Sequence, residues 1–348
     1  MVGGPGIIWL DRAVRNHPRW LAAAVLVLLL ITTLSTEAAT RRGPMARARH
    51  RVQGTWVLQQ ITSRAQLSRM RPQLEAALRV RGVTGFSIRV PWTLLEPRKG
   101  HYDFRVLRKA FRIARPKELS VRFIAGSHTP AFWRGNSFVY DGSETFGVGA
   151  GQLVPLPFNP SGGPNRIFER GWRRMVNHLA HWSRAHHLAL LHLAWPGLVW
   201  SEMGVVDQMF SQPGYSYAQA RNTHRRLLNH GFKVSTRRMH VEFPWAGFVP
   251  QQMYIDLKRR VMSHPRNRRM ILLANNLTDH TSPLLHDRPL PRRAAQMLQP
   301  YLYDWSAVYD DARWMYAEYV EVYTPSFRAG SATARAELRR EIRAFARR

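Results

Sequence analysis

The sequence predicts an α/β protein built as a (β/α)8 TIM barrel. Three observations carry this expectation. Eight short runs rich in Val, Ile, Leu and aromatic residues recur along the chain, seven segments with apolar residues at helical spacing lie among them, and the two kinds mostly alternate. Alternation of strand and helix implies a parallel sheet, and eight such units in roughly 300 residues match a closed barrel. No Gly-x-Gly-x-x-Gly follows any strand candidate, which weakens the open nucleotide-binding sheet as an alternative.

The elements follow in order. "GTWVLQQI" from Gly54 is the first strand, and "SRAQLSRMRPQLEAALRVRG" is a helix that stops at Gly82. "VTGFSIRVPW" is the second strand and "DFRVLRKAFRIARPKE" an amphipathic helix. "LSVRFIAGSHTPAFW" is a strand that becomes a loop, and a Gly/Pro-rich connection covers 135–165. "IFERGWRRMVNHLAHWSRAH" is helical, and "HLALLHLAWPGLVWSEM" again passes from strand to loop. The helix "YSYAQARNTHRRLLNHGF" precedes the strand "RRMHVEFPWAGF", and the helix "PQQMYIDLKRRVMSHP" precedes the strand "RRMILLANNLT". "RRAAQMLQPYLYDW" is a weaker strand, "SAVYDDARWMYA" a helix, "EYVEVYTPSF" the last strand and "ATARAELRREIRAFARR" the closing helix.

The barrel is expected over residues 51–348, as one domain. Residues 1–50 read as a signal peptide or signal anchor plus a basic linker. The apolar run "WLAAAVLVLLLITTL" (Trp20–Leu34) follows Arg12, Arg15, His17 and Arg19 and precedes the small residues of "STEAAT", the pattern of an export signal. At 15 residues the run is short for a spanning helix, which needs about 20. An uncleaved anchor would keep its basic flank inside. The expectation is therefore a secreted or membrane-anchored protein whose barrel lies outside the cytoplasm.

With no cysteine in 348 residues, disulfides and thiolate metal sites are excluded. The histidines are scattered, so neither a metal nor another cofactor is expected. The formal net charge of +30 is mostly arginine. It fits either an anionic polymer or envelope surface as partner, or a compositional bias toward arginine spread over a solvated surface. No nucleic-acid-binding signature interleaves the basic residues.

Active sites of such barrels form at the C-terminal ends of the strands. Those ends carry Arg89 and Trp92, His128 and Trp133, His192 and Trp195, then Trp200 and Glu202. Glu242 and Trp245, Asn275, Gln296, and Glu321 with Tyr323 follow. Indoles stack on sugar rings, and Arg, His, Asn and Gln hydrogen-bond hydroxyl groups. An oligo- or polysaccharide substrate is the partner this chemistry fits. Two flanking carboxyl groups would cleave a glycosidic bond. Glu202 and Glu321 are the candidate catalytic pair, with Glu242 a third carboxylate on the same logic. A carboxylate inside the apolar strand "YVEVY" equally fits an internal salt bridge from Glu321 to a barrel arginine such as Arg89. Glu96, ahead of Pro97, reads as structural.

The stretch "VPWTLLEPRKGHYDF" resembles the second-strand signature of clan A glycoside hydrolases, especially the beta-galactosidase-like families 42 and 35. Trp92, Glu96, Pro97, Gly100, Tyr102, Asp103 and Phe104 carry the likeness, and "IAGSHTPAFW" is similar to the third-strand segment of those families. The resemblance covers about Gly54 to Glu202. It implies an O-glycosidase with a retaining two-glutamate mechanism, its acid/base ending strand four and its nucleophile ending strand seven. Glu202 takes the acid/base place, preceded by Ser201 where the families have Asn. Glu321 takes the nucleophile place only if "AAQMLQPY" is not a strand. The alternative is a catalytically inactive carbohydrate- or polyanion-binding protein on the same barrel.

Overall fold

The computed structural model describes residues 52–142, 150–193, 207–244, 251–277, 292–297 and 304–347. The expectations for residues 1–51, the apolar run included, lie outside these, as do Trp195, Trp200, Glu202 and Trp245. No helix among the described residues is long and apolar enough to cross a membrane.

Eight parallel strands close into a barrel: β1 (Gly54–Gln60), β2 (Val83–Pro91), β3 (Glu118–Ile124), β4 (Leu188–His192), β5 (His240–Pro244), β6 (Met270–Leu277), β7 (Arg293–Met297) and β8 (Tyr319–Tyr323). Each strand pairs with its sequence neighbours, and β1 closes the ring against β8. The (β/α)8 fold read from the alternation is the one observed, and the weak strand after Arg292 is real.

Seven helices of ten residues or more are described: α1 (Arg64–Leu78), α2 (Arg105–Ala114), α3 (Arg166–His186), α4 (Tyr217–Val234), α5 (Gln251–Ser263), α6 (Trp305–Trp314) and α7 (Ala332–Phe345). Several begin at a side chain that accepts from an otherwise unpaired backbone N–H: Ser63 for α1, Ser216 for α4, Asp304 for α6 and Ser331 for α7. Asn165 does this for α3 and also donates to the carbonyls of Arg134, Asn136 and Leu156. It thereby ties α3 to a small hairpin (Ser137–Val139 with Leu153–Pro155) inserted after β3.

Strand alternation gives the barrel two cores. The larger lies between strands and helices, for example Val57, Ile88, Val121, Leu191, Val241 and Val320 against the apolar faces of the helices. The smaller packs Trp56, Leu190, Ile271, Leu273, Ala294 and Tyr319 together. Trp56 fits because β2 has Gly85 beside it. A Cβ there would stand 2.4 Å from the indole.

Candidate active site at the C-terminal end of the barrel

The strand register places a row of polar side chains across four neighbouring strands. Arg89 of β2 pairs with Arg122 of β3, Arg122 with His192 of β4, and His192 with Glu242 of β5. All four are buried, as is Glu321 of β8. Arg89 and Arg122 lie near the ends of their strands, and His192 is the last residue of β4.

These groups form one network. One guanidinium nitrogen of Arg122 donates to Glu321 Oε2 at 2.7 Å and to Glu242 Oε2 at 3.3 Å. Ser87 Oγ donates to Glu321 Oε1 at 2.5 Å, and His192 Nδ1 lies 2.6 Å from Glu242 Oε2. Arg89 donates to the Tyr323 hydroxyl at 3.1 Å. Burying ions costs several kcal/mol each, and their attraction repays this only when the geometry is good. Here two carboxylates share one cation. Burial pushes the Glu242 carboxyl well above the usual carboxylate range; Arg122 opposes this, and the Glu321 charge adds to it. Glu242 Oε1 has no hydrogen-bond partner. Glu242 is therefore a carboxyl group biased toward its neutral acid, with one oxygen uncommitted.

The network corrects the reading of Glu321. With β7 real, Glu321 sits on strand eight, in the middle of the strand, not at the strand-seven end that the resemblance required. It is held by an internal salt bridge, and the partner is Arg122 rather than Arg89. The backbone of Glu321 pairs with Gln296 of β7. The β7 sequence, "RAAQM", contains no carboxylate.

Two expected sugar platforms are corrected as well. Trp92 is 0% exposed and Trp133 only 3%, so neither offers an open ring face. Both indole N–H groups donate to Glu96, at 2.9 and 3.0 Å, and the Gly100 N–H donates to it at 2.9 Å. Trp133 lies against Gly171 of α3, where a Cβ would stand 2.4 Å from the ring. Glu96 is thus the structural anchor that its sequence context suggested, and the two tryptophans belong to that anchor.

Of the remaining candidates, His128 is half-buried in a turn just after β3, and burial lowers its pKa. Asn275 and Gln296 are placed on β6 and β7. Ser87 and Arg122 escaped notice in the sequence. Arg122 could have been found in "LSVRFI" by the signal that marked Glu321, a charge inside an apolar strand. No group of three or more His, Asp or Glu side chains that could hold a metal ion occurs among the described residues.

No protein-family model matches the chain, and no curated protein matches it in sequence. Among solved structures it is similar to the beta-galactosidase of the Antarctic haloarchaeon Halorubrum lacusprofundi. That match has a TM-score of 0.50 and 10% identity, over 84% of this chain and 58% of that one. It is also similar to the beta-galactosidase of Marinomonas ef1 (TM-score 0.47, 12% identity, 84% and 59% covered). A third similar structure is a beta-glucanase of Saccharophagus degradans in complex with cellotetraose (TM-score 0.47, 13% identity, 84% and 87% covered). This chain spans a little over half the length of the two beta-galactosidases. What the chain shares with them is the (β/α)8 barrel. At these identities the likeness is one of fold, and residue roles have to come from this chain's own geometry.

Proposed function

We propose that the protein acts on an oligo- or polysaccharide at the C-terminal end of the barrel, as an O-glycoside hydrolase. The observation that carries this reading is the register row Arg89–Arg122–His192–Glu242 with Glu321. It gathers titratable groups in the part of the fold where active sites of such barrels form. An apolar layer of the same volume would be equally stable or more so. In this reading Glu202 is the general acid/base that protonates the leaving oxygen. The second carboxylate comes from the Glu242–Glu321 pair, since β7 supplies none. The arginines and His192 position the sugar. The Trp20–Leu34 run makes the protein exported or membrane-anchored, and N-terminal sequencing of protein from the native host tests this: an intact Met1 on a soluble cytoplasmic protein contradicts it.

A second reading is supported by a specific observation. Both carboxylates of the pair are engaged by Arg122, as in a structural ion network, which fits a glycan-binding barrel without hydrolysis. Assays on aryl glycosides and on oligosaccharides, alongside calorimetric titration of the same oligosaccharides, separate the two. Hydrolysis should be detected, and Glu202→Gln should lower it by about 10²–10⁴-fold on oligosaccharides. The loss should be much smaller on activated aryl glycosides, whose leaving group needs little protonation. Saturable binding without turnover would favour the second reading. Neither binding nor turnover would remove both.

A further inference from the structure

The positive charge of the strand connections is not shared evenly between the two ends of the barrel. The connections that lead into the strands lie at its N-terminal end, opposite the site described above. Into β2 the chain reads "RVRG" (Arg79–Gly82), into β3 "RPK" (Arg115–Lys117), into β5 "STRRM" (Ser235–Met239) and into β6 "HPRNRR" (His264–Arg269). Arg79, Arg81, Arg115, Arg237, Arg238 and Arg266 are exposed. Among the described residues of these connections the single acid is Glu318, which Arg292 holds at 2.5 Å. The connections at the other end are nearly balanced. Between β2 and α2, for instance, Glu96 and Asp103 offset Arg98 and Lys99. A compositional bias alone would load the connections of both ends alike.

Two further observations mark the same end. A cavity of about 500 Å3 is lined by Arg81, Gly82, Arg343, Ala346 and Arg347, where α7 finishes beside the start of β2. No lining residue is acidic. Trp314, the last residue of α6, and Tyr316, in the connection that follows it, are 47% and 61% exposed, although most large aromatics of the barrel are buried. Arginine supplies attraction to anionic headgroups, and Trp and Tyr are the side chains that settle at a membrane–water boundary.

From this we infer that the N-terminal end of the barrel docks on an anionic lipid bilayer, leaving the C-terminal end facing away from it. A bilayer is chosen over a soluble polyanion on two grounds. The exposed indole and phenol rings stand beside arginine rather than beside the polar hydrogen-bonding groups a sugar needs, and Trp and Tyr with basic residues are the set that settles at an anionic membrane–water interface. In addition, Val52 and Gln53 lead into β1 at this end, and the residues before them in the sequence are apolar and basic. Those residues include the apolar run Trp20–Leu34 and the basic stretch "RRGPMARARHR" (41–51). The inference is independent of what the opposite end binds, so its test does not involve a sugar.

The absence of cysteine allows a clean experiment on the full chain. Tyr316→Cys at the N-terminal end and Arg98→Cys at the C-terminal end each take one environment-sensitive fluorophore. The labelled proteins are mixed with vesicles of phosphatidylcholine alone or with about one third phosphatidylglycerol. The expected result is a blue-shifted emission protected from an aqueous quencher at position 316, on the anionic vesicles only and reversed by high salt. Position 98 should remain quenchable throughout. A four-fold variant, Arg237→Glu, Arg238→Glu, Arg266→Glu and Arg268→Glu, changes residues that are exposed and should fold normally. It should lower the protection at position 316 at least ~10-fold in lipid titration. Equal quenching at both ends, or protection that survives the four reversals, would overturn the inference. So would equal protection by soluble polygalacturonate, which would make the partner a polyanion rather than a bilayer.

Discussion

Two buried carboxylate sites in this barrel solve the same problem differently. Glu96, outside the strand ring, is surrounded by neutral donors: two indole N–H groups and a backbone N–H. Glu242 and Glu321 share the charged Arg122, with His192 and Ser87 completing the set. The first arrangement is local, since Trp92, Glu96 and Gly100 lie within eight residues of one another and only Trp133 comes from another connection. The second spans five strands. Neutral donors hold a carboxylate in place and leave little for it to do. A shared cation sets two carboxyl groups against one charge, and the buried Glu242 is pushed toward its neutral acid, which is a property a site can use.

The largest effect is expected from breaking the shared cation. Arg122→Met removes the cation that the two buried carboxyl groups share, leaving Ser87 on Glu321 and His192 on Glu242. Removing one partner of a buried pair costs about 3–5 kcal/mol. The denaturant midpoint should fall accordingly, and the triple variant Arg122→Met, Glu242→Gln, Glu321→Gln should recover most of the loss. A single variant close to wild type would mean that the carboxylates are not coupled through this residue.

Glu96→Ala should come next. It leaves two buried indole donors and one backbone donor to find other partners, at about 1–3 kcal/mol for each group left unsatisfied. Glycan binding, if assayed on the surviving folded fraction, should be unchanged. A change in binding would place Trp92 or Trp133 back at the sugar.

A smaller effect, distinguished by its sign, concerns Glu242. Its folded-state pKa is raised above the unfolded value, chiefly by burial. The stability this contributes is fully present below the unfolded pKa and is lost as pH rises through the folded pKa. Glu242→Gln has no proton to lose. The variant should therefore gain on wild type, in denaturant midpoint, as pH rises through this window. A difference that stays flat with pH would mean that Glu242 titrates as an ordinary carboxylate.

The sequence revealed the fold because every strand is a short apolar run with a helix or a turn-rich connection beside it. Even "RAAQM", with little β-branched content, was placed by its position between neighbours. It also showed that a charge inside "YVEVY" needs a partner. It did not reveal which partner, because alternation assigns a face but not a register, and the pairing of Glu321 with Arg122 joins β8 to β3 across the barrel. Trp92 and Trp133 depart from the sugar platforms expected of them for a related reason. An indole at a strand end can turn toward a sugar or back against a helix, and the deciding atom is its N–H partner. That partner, Glu96, was visible as a structural residue, but its donors were not.

The smallest effect tests whether distance alone separates these sites. Arg71 and Glu75 are an i,i+4 pair on α1 with an N···O distance of 2.6 Å, nearly the 2.7 Å of Arg122 and Glu321. The side chains of Arg71 and Glu75 are 60% and 34% exposed, whereas those of Arg122 and Glu321 are 0% exposed. In water the Coulomb attraction is screened and two long side chains must be held still, so such helix pairs are worth about 0.3–0.5 kcal/mol. Glu75→Gln should shift the denaturant midpoint by no more than that, and added salt should shrink the difference further. The contrast with Arg122→Met then rests on environment, because the two geometries match. A loss from Glu75→Gln approaching that of Arg122→Met would mean that Glu75 has a second role on α1.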